Sequence, residues 1–253
     1  MVEFEEAKQL ANNSIARSLR DIDEDNQQCI DTMKSCADDL KMWLTMKQGL
    51  IRQPVLALPI LHDHDIYCQR LVNPKALCVT CPYQQQHGDC HVTGSNHLAL
   101  VSARDQYLIA TMDYYNDEIY DCEIDQKAMK VTNNYIERHV GKYRRRRIKI
   151  MAQLEKAKTE HQWSQHKQRL LLNMVQSVPL NDIHCYFCAL NSEGDCYKCS
   201  YAKHHGYCGD HGSDYNKIKE ARTILTWAIK GYYPEKKTAI ASLPYFEDLD
   251  WWN

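Results

Sequence analysis

The chain has 253 residues, with 31 Lys and Arg against 33 Asp and Glu, a formal net charge of −2, and 44% hydrophobic residues. That balance fits one large domain or two of ordinary size with a real core, and excludes a disordered chain. No apolar run of about 18 residues occurs, and the acidic N-terminus MVEFEEAKQL lacks the basic and apolar regions of a signal peptide, so a cytoplasmic protein without a membrane partner is expected.

The first predicted element is a long helical segment from Glu3 to about Leu50, free of Pro and ended by Pro54. Within it Ile15, Ile22, Cys29, Cys36, Trp43 and Leu50 recur every seven residues, with Leu19, Met33 and Leu40 on companion positions. That is the seam of a coiled coil or of a long hairpin. A Cys-rich loop follows, with Gly, Asn, Pro and His in place of helical periodicity. Ser95 then reads as the N-cap of a shorter helix running to about Met112.

The same order of parts returns. A shift of 118 positions pairs Cys78, Cys81 and Cys90 with Cys196, Cys199 and Cys208, Tyr83 with Tyr201, His87 with His205, and Tyr114 with Tyr232. Upstream the offset is 120, pairing Trp43 with Trp163, Pro59 with Pro179, His64 with His184 and Cys68 with Cys188. In the long helical segments it is 121, so that Ile15, Leu19 and Met33 fall on Ile136, Val140 and Leu154. Two tandem copies are therefore expected, residues 1–118 and 119–238, followed by a tail, 239–253. The second copy's long segment runs from Asp121 to about Gln176 before Pro179, and Ser213 caps a helix to about Lys230. The fold class expected is mainly α: a tandem-duplicated helical bundle or coiled coil of two long and two shorter helices, with two Cys₄ metal-binding loops about a pseudo-two-fold axis.

Twelve cysteines in a reducing compartment read as thiols and metal ligands rather than disulfides. The shared pattern is Cys68, Cys78, Cys81, Cys90 in the first copy and Cys188, Cys196, Cys199, Cys208 in the second. Four thiolates complete a tetrahedral Zn²⁺ sphere, and Cys-x-x-Cys lets one tight turn present two sulfurs to one ion. Two Zn²⁺ ions are expected, one per copy, with iron–sulfur clusters as the alternative because they use the same ligands. Cys185 adds a fifth candidate in the second copy, and His64 and His184, just before the first shared cysteine, are candidates for ligand exchange there. Cys29, Cys36 and Cys122 read as core or surface thiols. The string His62 to Asp65 resembles a hydrolytic His–Asp site, but its counterpart is Asp182-Ile183-His184-Cys185, so the doublet is outside the repeat. Four cysteines also leave no open metal position for water, which argues against a metalloenzyme.

Charge separates the copies. Residues 1–118 hold 10 Lys and Arg against 17 Asp and Glu, and residues 119–238 hold 21 against 13, giving −7 and +8. The 121 offset sets Asp21, Asp23, Glu24 and Asp25 against Lys142, Arg144, Arg145 and Arg146, with Arg147 beside them. If the long helices lie side by side in parallel, these runs become neighbours, with Asp23 or Glu24 close to Arg144–Arg147. Arginines that face solvent instead are candidates for phosphate contacts, so a nucleic-acid-binding regulator is the alternative function. The tail, with Tyr245, Phe246, Trp251 and Trp252 among acidic residues, reads equally as a docking peptide and as a terminus folded back on the bundle.

The segment CYFCALNSEGDCYKCSYAKHHGYCGDHGSDYNKI is similar to small, uncharacterised Cys-rich proteins common in bacteriophage genomes. The likeness covers about 35 residues of the second copy and fewer of the first. It implies a viral, metal-stabilised protein in the host cytoplasm and carries no activity with it. The function expected is a non-enzymatic binding protein, a monomeric pseudo-dimer or a homodimer, that engages a host protein.

Overall fold

The computed structural model describes residues 3–36, 38–70, 81, 83–84, 89–90, 92–112, 114, 124–191 and 196–232. Six principal helices carry the fold: α1 (Phe4–Ser35), α2 (Leu40–Leu56), α3 (Asn96–Ala110), α4 (Gln126–Lys156), α5 (Glu160–Gln176) and α6 (Asp214–Tyr232). Cys78, Cys122 and the tail aromatics Tyr245, Phe246, Trp251 and Trp252 lie outside the described residues.

Of the two readings of each long segment, coiled coil or long hairpin, the structure has the hairpin, two helices in place of the one long helix counted per copy. The first breaks at Cys36–Asp39, where Asp39 caps α2 by accepting the Met42 amide at 2.8 Å. The second breaks at Ala157–Thr159, where the Thr159 hydroxyl accepts the Gln162 amide at 3.2 Å. Capping side chains of this kind satisfy amides that have no partner within the helix. Each pair folds back on itself, α1 on α2 and α4 on α5. The seam runs through the break because the hairpin keeps Ile15, Ile22, Trp43 and Leu50 all in the core. Pro54 does not end α2: it sits buried in the last turn, and the helix continues to Leu56. The two shorter helices begin as expected, with the Ser95 hydroxyl accepting the Leu98 amide and the Ser213 hydroxyl accepting the Asn216 amide, both at 3.2 Å.

The long helices do not adopt the parallel arrangement under which the Asp23–arginine contact was expected, yet the contact exists. Lys8 of α1 donates to the Ala157 carbonyl just beyond α4 at 2.8 Å; Asp23 meets Arg144 and Arg147; Lys34 meets Glu137. Numbers rise along α1 as they fall along α4, so the helices are antiparallel. An antiparallel pair brings a segment against its own equivalent only at the midpoint of the crossing, and positions 23 and 144 fall there. The acidic and basic runs meet because they are central.

Further contacts come in reciprocal pairs when the copies are exchanged. The Trp43 indole donates to Asn133 at 2.8 Å, and the Trp163 indole donates to Asn12 at 2.9 Å. Lys47 donates to the carbonyls of Pro179 and His184, and Lys167 to that of His64. Tyr83 stacks obliquely on Tyr232 with ring centres 5.2 Å apart, and Tyr201 meets Tyr114 edge-on at 5.5 Å. α3 and α6 lie antiparallel, Asn96 donating to the Gly231 carbonyl at one end while Tyr114 meets Tyr215 at the other. Helices from both halves of the chain contribute to one continuous core, with Trp43 and Trp163 fully buried in it. Among the described residues no helix is long and apolar enough to cross a membrane.

Candidate functional site

Position 188 lies in the single-turn helix Tyr186–Leu190, which begins at the buried Cys185. One helical turn separates Cys185 from Cys188, which places their side chains on the same side, and the two share a hydrogen bond. Cys199 is buried at the start of the short helix Ser200–His205, behind the turn Cys196–Lys198, in which Cys196 is exposed. The burial of Cys199 raises its pKa, and the backbone N–H groups of Ala202 and Tyr201 oppose that rise. Cys208 follows the helix and is half-buried.

These thiols act on one another. The hydrogen bond with Cys185 pushes the Cys188 pKa far up, and burial and the charges of Cys185, Cys208 and Cys199 add to it. Burial, then Cys185, Cys199 and Cys196, push Cys208 up to about 12. Cys185 recurs in all three environments. Thiols crowded in this way resist ionising together, and a bound dication is what reverses that. Among the described residues no group of three or more His, Cys, Asp or Glu side chains is drawn together closely enough to hold a metal ion. The donors share a neighbourhood rather than a coordination sphere.

In the first copy Cys68 lies on the single-turn helix Ile66–Gln69, Cys81 is buried, and Cys90 is half-buried. The helix is capped by Asp65, 5% exposed, whose carboxylate accepts the Tyr67 amide at 3.0 Å. Tyr83 packs against Tyr67 and Tyr232, ring centres 5.7 Å and 5.2 Å apart, and burial raises the pKa of all three, with Cys81 or Cys90 among the further causes.

The two histidine candidates are engaged elsewhere. His64 hydrogen-bonds the Ser18 hydroxyl at 3.0 Å and lies beside Asp63 at 3.2 Å. His184 accepts the Asn181 amide through Nδ1 and stands edge-on to His139, ring centres 4.6 Å apart. Burial, with Lys47 and His139 adding, pushes its pKa down to about 2.

Sequence reasoning missed the two buried lysines, both fully enclosed. Burial drops Lys47 to about 7 against the opposing pull of Cys185 and Cys188, and Lys167 to about 8 against that of Asp65, Cys68 and Asp63. Each ammonium therefore comes from one copy and faces the start of the other copy's Cys loop. The available signal was that both lysines stand at the 120 offset inside the apolar stripe.

At the charged crossing, Arg147 is 2% exposed and donates through Nη2 to Asp23 at 2.5 Å, while Arg144 reaches the other Asp23 oxygen at 3.1 Å. Among the described residues Arg147 Nε and Nη1 have no hydrogen-bond partner. Arg145, Arg146, Asp21, Glu24 and Asp25 are exposed. Two grooves flank the crossing: a polar one of about 410 Å³ bordered by Asn26, Arg138 and Arg145, and a more apolar one of about 330 Å³ bordered by Leu19, Ile148 and Met151.

No known protein family, curated protein or solved structure matches this chain.

Proposed function

We propose that the chain is a non-enzymatic helical binding protein, a pseudo-two-fold dimer within one polypeptide, stabilised by one zinc ion in each Cys loop and directed at a protein partner. The observation that carries the choice of partner is the surface of the α1–α4 crossing. Its exposed carboxylates Asp21, Glu24 and Asp25 lie on the helix facing exposed Arg144, Arg145 and Arg146, and Asp23 takes up Arg147. A face that interleaves both signs matches a protein surface of mixed charge, and its carboxylates repel a polyanion. The flanking grooves add recesses for apolar and polar side chains of such a partner.

The zinc reading rests on the doubled cysteine spacing and on the mutual crowding of Cys185, Cys188, Cys199 and Cys208. Iron–sulfur clusters use the same donors, and a brown protein with visible absorbance replaces zinc by them. The likeness of the second loop to phage Cys-rich proteins extends the proposal to a viral factor that modulates a host protein, host defence included.

A nucleic-acid regulator is the second reading, favoured by the solvent-facing Arg145, Arg146, Lys142 and Lys149 on α4. Affinity purification of the full chain from its native host, with and without nuclease, separates the two. A stoichiometric protein that survives nuclease supports the first reading. Co-purifying nucleic acid alone, with salt-sensitive oligonucleotide binding lost in Arg145→Gln/Arg146→Gln, replaces it by the second.

A further inference from the structure

The two grooves at the crossing are built from matching positions of the sequence. The offset of 121 carries Asn26, Gln27 and Ile30, which border the polar groove, onto Arg147, Ile148 and Met151, which border the apolar one. The same offset carries Arg20 and Glu24 onto Gly141 and Arg145. Arg20 borders the apolar groove, whereas Gly141 and Arg145 border the polar one. The polar groove therefore has bare backbone where its counterpart has a long side chain, and a guanidinium where the matching position of α1 carries a carboxylate.

Gly141 lies in the interior of α4, where glycine is less stable than alanine. Its backbone is not left-handed, and a Cβ there would meet no atom of α1 within 4 Å and only Arg145 Nη1 at 3.5 Å. Neither conformation nor helix packing requires it. Its effect is to keep the groove open between Arg138 and Arg145, which stand two turns apart on one face of α4, about 10.5 Å along the axis. Across the groove on α1, Asn26 is 3% exposed, and among the described residues its Oδ1 has no hydrogen-bond partner. A buried acceptor in that state is costly until something supplies a donor. The carboxylates at the groove are already taken, Asp23 by Arg144 and Arg147 and Glu137 by Lys34. Arg138 lies over the Tyr135 ring, and among the described residues neither it nor Arg145 pairs with a carboxylate.

We propose that the polar groove between α1 and α4 binds a small phosphorylated molecule, its phosphate held by Arg138 and Arg145 over Gly141 and one of its hydroxyl or amino groups donated to the Asn26 amide. The planar fork of arginine matches phosphate oxygens, and two such forks with no carboxylate of their own suit a dianion. The groove's volume of about 410 Å³ is that of a small-molecule site. A polyanion would have to extend over the exposed Asp21, Glu24 and Asp25, whereas a single phosphate ester stays inside the groove. The site is independent of the protein-partner reading, since it concerns the recess and leaves the charged face around it to a partner.

The test is isothermal titration calorimetry of the full-length chain with adenosine monophosphate, glucose 6-phosphate, their parents adenosine and glucose, and inorganic phosphate. One of the two esters should bind at a single site, about tenfold or more tighter than its parent and than inorganic phosphate. Arg138→Gln and Arg145→Gln should each weaken it about tenfold or more, and both alter exposed side chains, so circular dichroism should show the fold kept. Arg169→Gln, which removes an exposed charge from α5 away from the groove, should leave binding unchanged. Gly141→Ala should melt at a higher temperature than the wild type without ligand and yet bind the ester more weakly, a combination that a purely structural glycine would not give. The proposal is overturned if neither ester binds at millimolar concentration, if inorganic phosphate binds as tightly, or if Arg169→Gln weakens binding as much as the groove variants do. It is equally overturned if Gly141→Ala binds as the wild type does, or if short oligonucleotides bind where both esters fail. The affinity purification that tests the protein partner is unaffected by any of these results.

Discussion

Replacing Asp23 by Ala removes the carboxylate that holds the most enclosed charge at the crossing. Arg147 is 2% exposed, and among the described residues it donates to Asp23 while Nε and Nη1 find no partner. Breaking a buried ion pair by removing one member leaves an uncompensated charge, at a cost of about 3–5 kcal/mol. The groove beside Arg147 admits water, which favours the lower end, about 3 kcal/mol. In a chain of this size that corresponds to a fall in midpoint of roughly 6–12 °C. The companion substitution, Glu137→Ala, removes the Lys34–Glu137 bridge, whose side chains are 41% and 46% exposed, and should cost no more than about 1 kcal/mol. Asp23→Ala/Arg147→Met removes both charges and should recover most of the loss, because an apolar side chain of similar volume suits the site. Urea unfolding followed by far-ultraviolet circular dichroism measures all three. An Asp23→Ala variant no less stable than Glu137→Ala, or a double variant as weak as the single one, would refute the buried-pair argument.

Asn12→Ala and Asn133→Ala each strand a buried indole N–H and should cost about 1–3 kcal/mol, with Asn133→Ala the costlier because it also removes the donor to the Met33 carbonyl. Urea denaturation of the pair checks this, and an Asn12→Ala variant as stable as the wild type would contradict the role given to the indole bonds. Lys47→Met leaves the Pro179 and His184 carbonyls without their donor and should cost about 1–3 kcal/mol or more. Lys167→Met should behave alike, and a stabilised variant in thermal melts would contradict the role given to these lysines. Treating the metal-loaded chain with a chelator should lower its melting temperature reversibly on readdition of zinc. No change in melting with demonstrated loss of metal would make the ions incidental.

Much of the architecture was legible in the sequence. Ser95 and Ser213 capped where the hydroxyls predicted, and the heptad positions Ile15, Ile22, Trp43 and Leu50 entered the core. The breaks at Cys36–Asp39 and Ala157–Thr159 were missed because the apolar period runs through them. A signal was present: the repeat offset falls from 121 at Cys36 and Ala157 to 120 at Trp43 and Trp163. Deleting one residue inside a continuous helix would rotate everything beyond it by about 100°, so such a change is tolerated at a turn. Helix direction was not legible because charge complementarity at equivalent positions fits a parallel pair everywhere and an antiparallel pair at its midpoint, and the sequence does not say where the crossing falls.

Native mass spectrometry of the full-length chain tests the central claim most directly, since it reads oligomeric state and bound metal together. The account predicts a monomer carrying two zinc ions. A folded monomer of the bare polypeptide mass would contradict it.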